Sequence, residues 1–270
     1  MQDGISLDAV IAQAPGPLRV MAKDLGTGAI VRRGADQPIP AASTIKVPIL
    51  GTVAAAVFRG QLAWDALHTM SEKELGVPGS GVLRRFRWPV CMSLYNLATL
   101  MIIVSDNAAT NYLIGLVGFD AVNEFCRDQG LVQTQCVRLM RSGGAKAGEA
   151  DNMTTVEDQV TLYERLHRGT VLSPQVSREM LEILAGQQVA TKMPRYLNWV
   201  PGIRFAHKTG TTTGNGASAL DAGLIFLGDA PPIVLSVACT GWRHQAYADE
   251  AIGQVAYSLV GAWRNFPRDN

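Results

Sequence analysis

The hydrophobic period of this chain changes twice along its length, and few folds accommodate that order. Leu18-Arg19-Val20-Met21-Ala22-Lys23-Asp24 partly alternates, and Gly26-Thr27-Gly28 turns it into Ala29-Ile30-Val31-Arg32-Arg33, so the opening reads as a hairpin. From about 44 to 185 the spacing is helical: Val47–Gln61, Leu94–Ile103, Asn107–Val117, Ala121–Gln129, Thr155–Arg168 with Thr154 as its cap, and Ser177–Leu184. From about 200 it returns to strands, in Gly202–Lys208, Ala219–Leu227 and Ile233–Thr240, and Gln245–Phe266 is a final amphipathic helix. Strands so far apart share one antiparallel sheet only if the helical stretch is a lobe inserted between them. The reading is an α/β chain of the two-lobed α+β kind, a single domain over 1–270. Its sheet lobe takes in about 1–42 and 200–270, covered by terminal helices, and its all-helical lobe about 43–199. A cleft is expected where the lobes meet, the usual place for a ligand site.

Three short motifs fall at the boundaries between these segments. Ser43-Thr44-Ile45-Lys46 stands where a loop enters the longest apolar run. Residues three apart share a helix face, so the Lys46 amine is expected beside the Ser43 hydroxyl. A serine is a weak nucleophile until a base takes its proton, and a lysine serves as that base when burial lowers its pKa. Ser105-Asp106-Asn107 follows the run Leu97–Val104. It is a good N-cap cluster for the next helix, and it also offers a hydroxyl to pass a proton and an amide to hold a carbonyl. Lys208-Thr209-Gly210 ends a strand. A charge beside a hydroxyl suits a carboxylate, and a glycine lets a substrate backbone come close. Taken singly, each motif fits a structural role: a cap, a helix start, a lysine guarding a sheet edge.

Composition narrows the alternatives. A net charge of +1 on 270 residues gives no reason to expect nucleic acid or a membrane surface as partner, and Arg84-Arg85-Phe86-Arg87 reads as a solvated loop. No segment is long enough to span a bilayer. Met1-Gln2-Asp3-Gly4 has neither a basic nor an apolar leader region, so the expectation is a cytoplasmic protein or a trimmed exported one. Cys91, Cys126, Cys136 and Cys239 form no C-x-x-C pair, and His68, His167, His207 and His244 have no metal-ligand spacing, so neither a metal nor another cofactor is expected. A Cys126–Cys136 bridge is left open. There is no G-x-S-x-G elbow and no glycine-rich phosphate loop. Alternation on the strand turns His207 away from Lys208.

The order S-x-x-K, S-D-N, K-T-G, with gaps of 62 residues from Ser43 to Ser105 and 103 from Ser105 to Lys208, resembles the class A β-lactamases and penicillin-binding proteins over nearly the whole chain. The resemblance implies a serine hydrolase that acts on a small-molecule β-lactam or an acyl-D-Ala-type peptide, as a monomer. It makes Ser43 the acylated nucleophile, Lys46 the base and Ser105 the relay to the leaving nitrogen. Asn107 would hold the substrate's side-chain amide, Lys208, Thr209 and Gly210 its carboxylate end, and the backbone N–H groups of Ser43 and Thr211 the oxyanion.

The pattern breaks in two places. The family's omega-type loop carries a glutamate that activates the deacylating water, in an E-x-x-x-N segment absent here. The corresponding stretch, Arg138 to Thr155, is several residues short. Asp151 is expected to pair with Arg138 or Arg141, and Glu149, with Asn152 three residues on, is the nearest substitute for the missing base. After K-T-G, the segment Ser218–Gly223 lacks the arginine that many class A enzymes aim at the carboxylate, leaving Arg243 as the nearest one. Without the glutamate, acylation would outrun deacylation. The rival readings are therefore a D,D-peptidase or esterase, and a penicillin-binding protein or sensor that releases its acyl group slowly.

Overall fold

The computed structural model describes residues 6–214 and 216–264. A short helix, α1 (Leu7–Gln13), precedes β1 (Leu18–Asp24) and β2 (Ile30–Arg33). The strand β3 (Ile39–Pro40) leads through a 3₁₀ turn at Ala42–Ile45 into α2 (Lys46–Phe58). Then come β4 (Leu67–Met70), the one-turn helix α3 (Glu72–Leu75), β5 (Val90–Ser93), α4 (Leu94–Ile103), α5 (Asn107–Val117) and α6 (Phe119–Asp128). β6 (Met153–Thr154) pairs with β3, and α7 (Val156–His167) and α8 (Pro174–Ala185) follow. The chain closes with β7 (Ile203–Thr212), β8 (Ser218–Leu227), β9 (Ile233–Thr240) and α9 (Gln245–Trp263).

The five-stranded sheet has the order β2-β1-β9-β8-β7 and is antiparallel throughout. The first and last segments of the chain therefore meet in its middle, with Val20 opposite Val237. One face packs on α1 and α9 through Val20, Leu235, Val237, Ile252 and Val255. The other packs on the helical lobe through Ala222, Leu224 and Val234. Burial on both faces explains why β8 and β9 read as continuous apolar runs, whereas β1 alternates between buried and half-buried positions and β2 is largely exposed. β7 lies at the sheet edge, and Lys208-Thr209-Gly210 sits within it, because the strand runs four residues beyond the expected end at Lys208 to Thr212.

Local details depart from the sequence reading. The segment between β3 and β7 is not wholly helical, since β4 and β5 form a hairpin there with Leu67 opposite Ser93. That hairpin is half-exposed and short, so its period-2 signal is weak. α1 also went unseen, having Val10 as its only buried residue. Thr155, rather than Thr154, caps α7, accepting the Asp158 N–H at 3.0 Å. Thr154 is committed to β6 and to a 2.9 Å bond with Thr134. The expected end of the last helix at Phe266 and the reading of Met1–Gly4 lie outside the described residues.

α2 is apolar on every side and runs through the helical lobe as its central rod. Pro48 is tolerated because it falls in the first turn, where its missing N–H has no helical partner to lose. At Gly51 the helix meets the ring of Phe125 from α6 so closely that a Cβ would lie 2.2 Å from it. Gly51→Ala should therefore lower stability by about 1–3 kcal/mol through overpacking. Gly115→Ala, in α5 where nothing lies within 4 Å of the new methyl, should leave it unchanged or slightly raised. Urea unfolding of the two variants checks this pair of opposite outcomes.

Candidate active site

The three motifs converge on one cavity of about 420 Å³ between the helical lobe and the edge of the sheet. Ser43 enters it from the 3₁₀ turn before α2. The residue before it, Ala42, has φ 46°, a left-handed backbone rarely adopted by a side-chain-bearing residue. The turn is fixed on both sides: Ala41 N–H donates to Asn152 O at 2.7 Å, and the Thr44 hydroxyl donates to Ala41 O at 2.7 Å. Lys46 is the first residue of α2 and is fully buried. Its Nζ donates to Ser105 O at 2.7 Å, Asn107 Oδ1 at 2.9 Å and Ser105 Oγ at 3.0 Å. The Lys46 amine thus bonds to the S-D-N turn, and among the described residues the Ser43 hydroxyl has no hydrogen bond.

The S-D-N turn is strained and heavily anchored. Ser105 has φ 56°, in the left-handed region, and its hydroxyl also receives Lys208 Nζ at 3.2 Å. Asp106 does the structural work of the motif. One oxygen caps α5 through Ala109 N–H at 3.0 Å, and the other takes the Val82 and Leu83 N–H groups at 2.6 and 2.9 Å. The 79–83 loop is thereby fastened over the site. Gly81, with φ 110°, makes this approach sterically possible, since a Cβ there would lie 2.2 Å from Asp106 Oδ2. Asn107 is tied at both ends of its amide, to Lys46 and to Pro78 O at 3.2 Å.

On the opposite wall, Lys208 is fully buried and also donates to Thr209 O at 2.9 Å. Thr209, Gly210 and Thr211 line the cavity. At Gly210 a Cβ would lie 3.1 Å from Ala41 O and 3.2 Å from Ser43 N, so glycine is what lets β7 close on the Ser43 turn. His207 points to the other face of the sheet, where its Nδ1 lies 2.8 Å from Asp221 Oδ1. Burial, helped by the Lys208 charge and opposed by Asp106, holds Lys46 well below the usual lysine range. Burial also brings Lys208 down to about 7, with Asp221 opposing and Lys192 adding to the shift.

Glu149 is not at this cavity. It lines a neighbouring one of about 490 Å³, forms an ion pair with Arg141 and accepts Lys146 N–H at 2.9 Å. The carboxylate is thus engaged by Arg141, which borders both cavities, and Glu149 itself is absent from the Ser43 lining. Asp151 takes Arg138, at 2.6 and 2.7 Å. Asn152 is spent on the loop backbone, accepting Val137 N–H at 2.7 Å and Arg138 N–H at 3.1 Å. The loop instead presents Met140, Arg141, Ser142 and Gly143 to the Ser43 cavity. Among the described residues lining it there is no carboxylate and no histidine. Arg243 is exposed and does not line it either. Lys192, which the sequence reading missed, does. No motif surrounds Lys192, and only its buried place in the 191–200 segment reveals it. Among the described residues no cluster of three or more His, Cys, Asp or Glu is placed to hold a metal, and all four cysteines are free thiols.

The lowered Lys208 pKa fixes the sign of one pH effect. Between about 7 and 10.5 the unfolded chain carries this proton and the folded one does not, so the group makes stability rise with pH across that window. Below it, the whole cost of charging the buried amine is present. Lys208→Met removes the effect, so its stability relative to wild type should be most favourable near about pH 6 and should fall by about pH 9 in urea titrations.

Comparison with known proteins bears on the same residues. The beta-lactamase enzyme family model matches residues 6–263. A β-lactamase of Streptomyces lavendulae is 30% identical over 253 residues, covering 91% of this chain and 81% of that protein. A β-lactamase crystal structure from Sphaerobacter thermophilus superposes with a TM-score of 0.88 at 30% identity, over 95% of this chain and 94% of the other. A mutant of PBP-A, solved as an acyl-enzyme complex with penicillin G, gives 0.84 at 29% identity over the same shares. With agreement running from the first described helix to the last, the chain belongs to the beta-lactamase enzyme family.

Proposed function

We propose that the protein opens the β-lactam amide by forming an acyl-enzyme on Ser43, and that it releases the acyl group slowly. The observation that carries this reading is the cavity itself, which holds the groups needed for acylation and lacks a carboxylate base for hydrolysis. Burial lowers the Lys46 pKa, which favours release of one of its three donated protons and so a lone pair able to take the Ser43 proton. The Ser105 hydroxyl, within bonding distance of both Lys46 and Lys208, can deliver that proton to the leaving nitrogen. Gly210 brings the β7 backbone against Ser43, which suits the N–H groups of Ser43 and Thr211 to a developing oxyanion. Thr209 on the cavity wall, with the buried Lys208 next to it in sequence, offers a hydroxyl and a charge suited to a substrate carboxylate.

Hydrolysis of the resulting ester needs an activated water. The loop residues lining the cavity are Met140, Arg141, Ser142 and Gly143, none of them a carboxylate, and Met140 is an apolar thioether. The same absence favours a second reading, a D,D-peptidase or esterase in which the acyl group comes from an acyl-D-Ala-type peptide.

Intact-protein mass spectrometry after addition of benzylpenicillin tests the proposal. Wild type should carry a long-lived adduct and Ser43→Ala none. Met140→Glu should shorten the adduct's lifetime at least about tenfold, a threshold set below the roughly 10²–10⁴-fold that a well-positioned general base supplies. Glu149→Gln should leave that lifetime within about threefold. An adduct that vanishes within one turnover time in wild type would refute slow release, and its absence throughout would refute acylation.

A further inference from the structure

The end of the cavity beyond Thr211 is built around a second buried ion pair. Lys192 is 2% exposed and lines the wall, with Nζ 3.1 Å from Thr211 Oγ1 and 3.1 Å from Asp249 Oδ1. Asp249, on α9, is itself buried and lies outside the lining. Its Oδ2 accepts the Thr191 hydroxyl at 3.1 Å and Gln245 Nε2 at 3.3 Å, and both of those residues line the cavity. The carboxylate is thus held from behind by three groups of the cavity wall. An ammonium has three N–H donors. Thr211 Oγ1 accepts one of them among the described residues, while Asp249 faces the amine as an ion-pair partner, on a side chain that lines the cavity.

A buried ammonium requires a counter-charge, and in the empty site Asp249 supplies it. A carboxylate bound at Thr209 and Thr211 would come within reach of the same ammonium and add a second anion to it. Neither β8 nor the exposed Arg243 provides an arginine for that purpose.

We propose that Lys192 is a specificity-determining cation that recognises the carboxylate of the acyl donor, and that Asp249 is its resident counter-ion, competing with the substrate for the same ammonium. The inference rests on the acylation reading above and narrows its substrates. The donor carries a carboxylate on the carbon attached to the scissile nitrogen, as both β-lactams and acyl-D-Ala peptides do. Asp249 sets how tightly that anion is held.

The test compares Ser43 acylation rate constants for benzylpenicillin and for its uncharged methyl ester, taking their ratio as the readout. Loss of one charge-assisted bond should lower the ratio about 10- to 100-fold in Lys192→Met, whereas Lys192→Arg should retain most of it. Asp249→Asn should raise the ratio at least about threefold. Because Lys192→Met strands a buried carboxylate and so works against folding, the double variant Lys192→Met/Asp249→Asn is measured beside it, with thermal melting as the folding control. It should show the low ratio of Lys192→Met, since Asp249 acts only through Lys192. An unchanged ratio in the folded double variant, or a lower one in Asp249→Asn, overturns the proposal while leaving acylation at Ser43 intact. If wild type acylates with neither donor, the acylation reading falls and takes this inference with it.

Discussion

Two lysines and one hydroxyl govern this structure. Lys46 and Lys208 are both fully buried and both bond to Ser105 Oγ, at 3.0 and 3.2 Å. Taking one ammonium out of water costs roughly several kcal/mol, and two that share an acceptor repel each other as well. The protein meets this cost with acceptors, and burial lowers both amines, Lys46 well below its usual range and Lys208 to about 7. An amine that gives up its proton readily is what general-base chemistry requires, so the electrostatic cost of the arrangement is also its chemical use. The strained φ of Ser105 fits the same account, since the turn must bring both its carbonyl and its hydroxyl to Lys46.

The rest of the fold holds those three groups in register. α2, apolar all round, pins Lys46 at its first turn. Asp106 spends its carboxylate on α5 and on the 79–83 loop, which locks Ser105 and Asn107 between two helices. β7 brings Lys208 from the other lobe, and it closes on the Ser43 turn only because residue 210 has no Cβ. The site is therefore a product of the interface between lobes, and a shift of either lobe would break the Ser105 bridge.

The sequence disclosed what depends on short spacing and concealed what depends on long-range pairing. The period changes placed the sheet strands at both ends of the chain, and the three motifs are local words whose residues the fold brings together. The β4–β5 hairpin escaped because its strands are short and half-exposed. Lys192 and Asp249 lie 57 residues apart on unrelated elements, so no spacing rule connects them. Glu149 looked like a base because it is the nearest glutamate in sequence. Its pairing with Arg141 and its place in the neighbouring cavity are tertiary facts to which a one-dimensional reading has no access.

The loop also separates the two halves of the chemistry. Its frame is intact: Arg138 holds Asp151, and Asn152 ties Val137 and Arg138 from within. Gly144 lies so close to β7 that a Cβ there would be 2.3 Å from Thr212 Oγ1, which seats the loop against the sheet edge. Such a frame is able to position a catalytic side chain, yet the residues it brings to the cavity, Met140, Arg141, Ser142 and Gly143, include no carboxylate. The groups suited to acylation sit in the buried interface, where a substitution disturbs both lobes. The loop is fastened mainly by Arg138, Asp151 and Asn152, with Asn152 Nδ2 also reaching Met140 Sδ at 3.8 Å. Release of the acyl group can therefore change by substitution at Met140 while the acylating groups stay fixed.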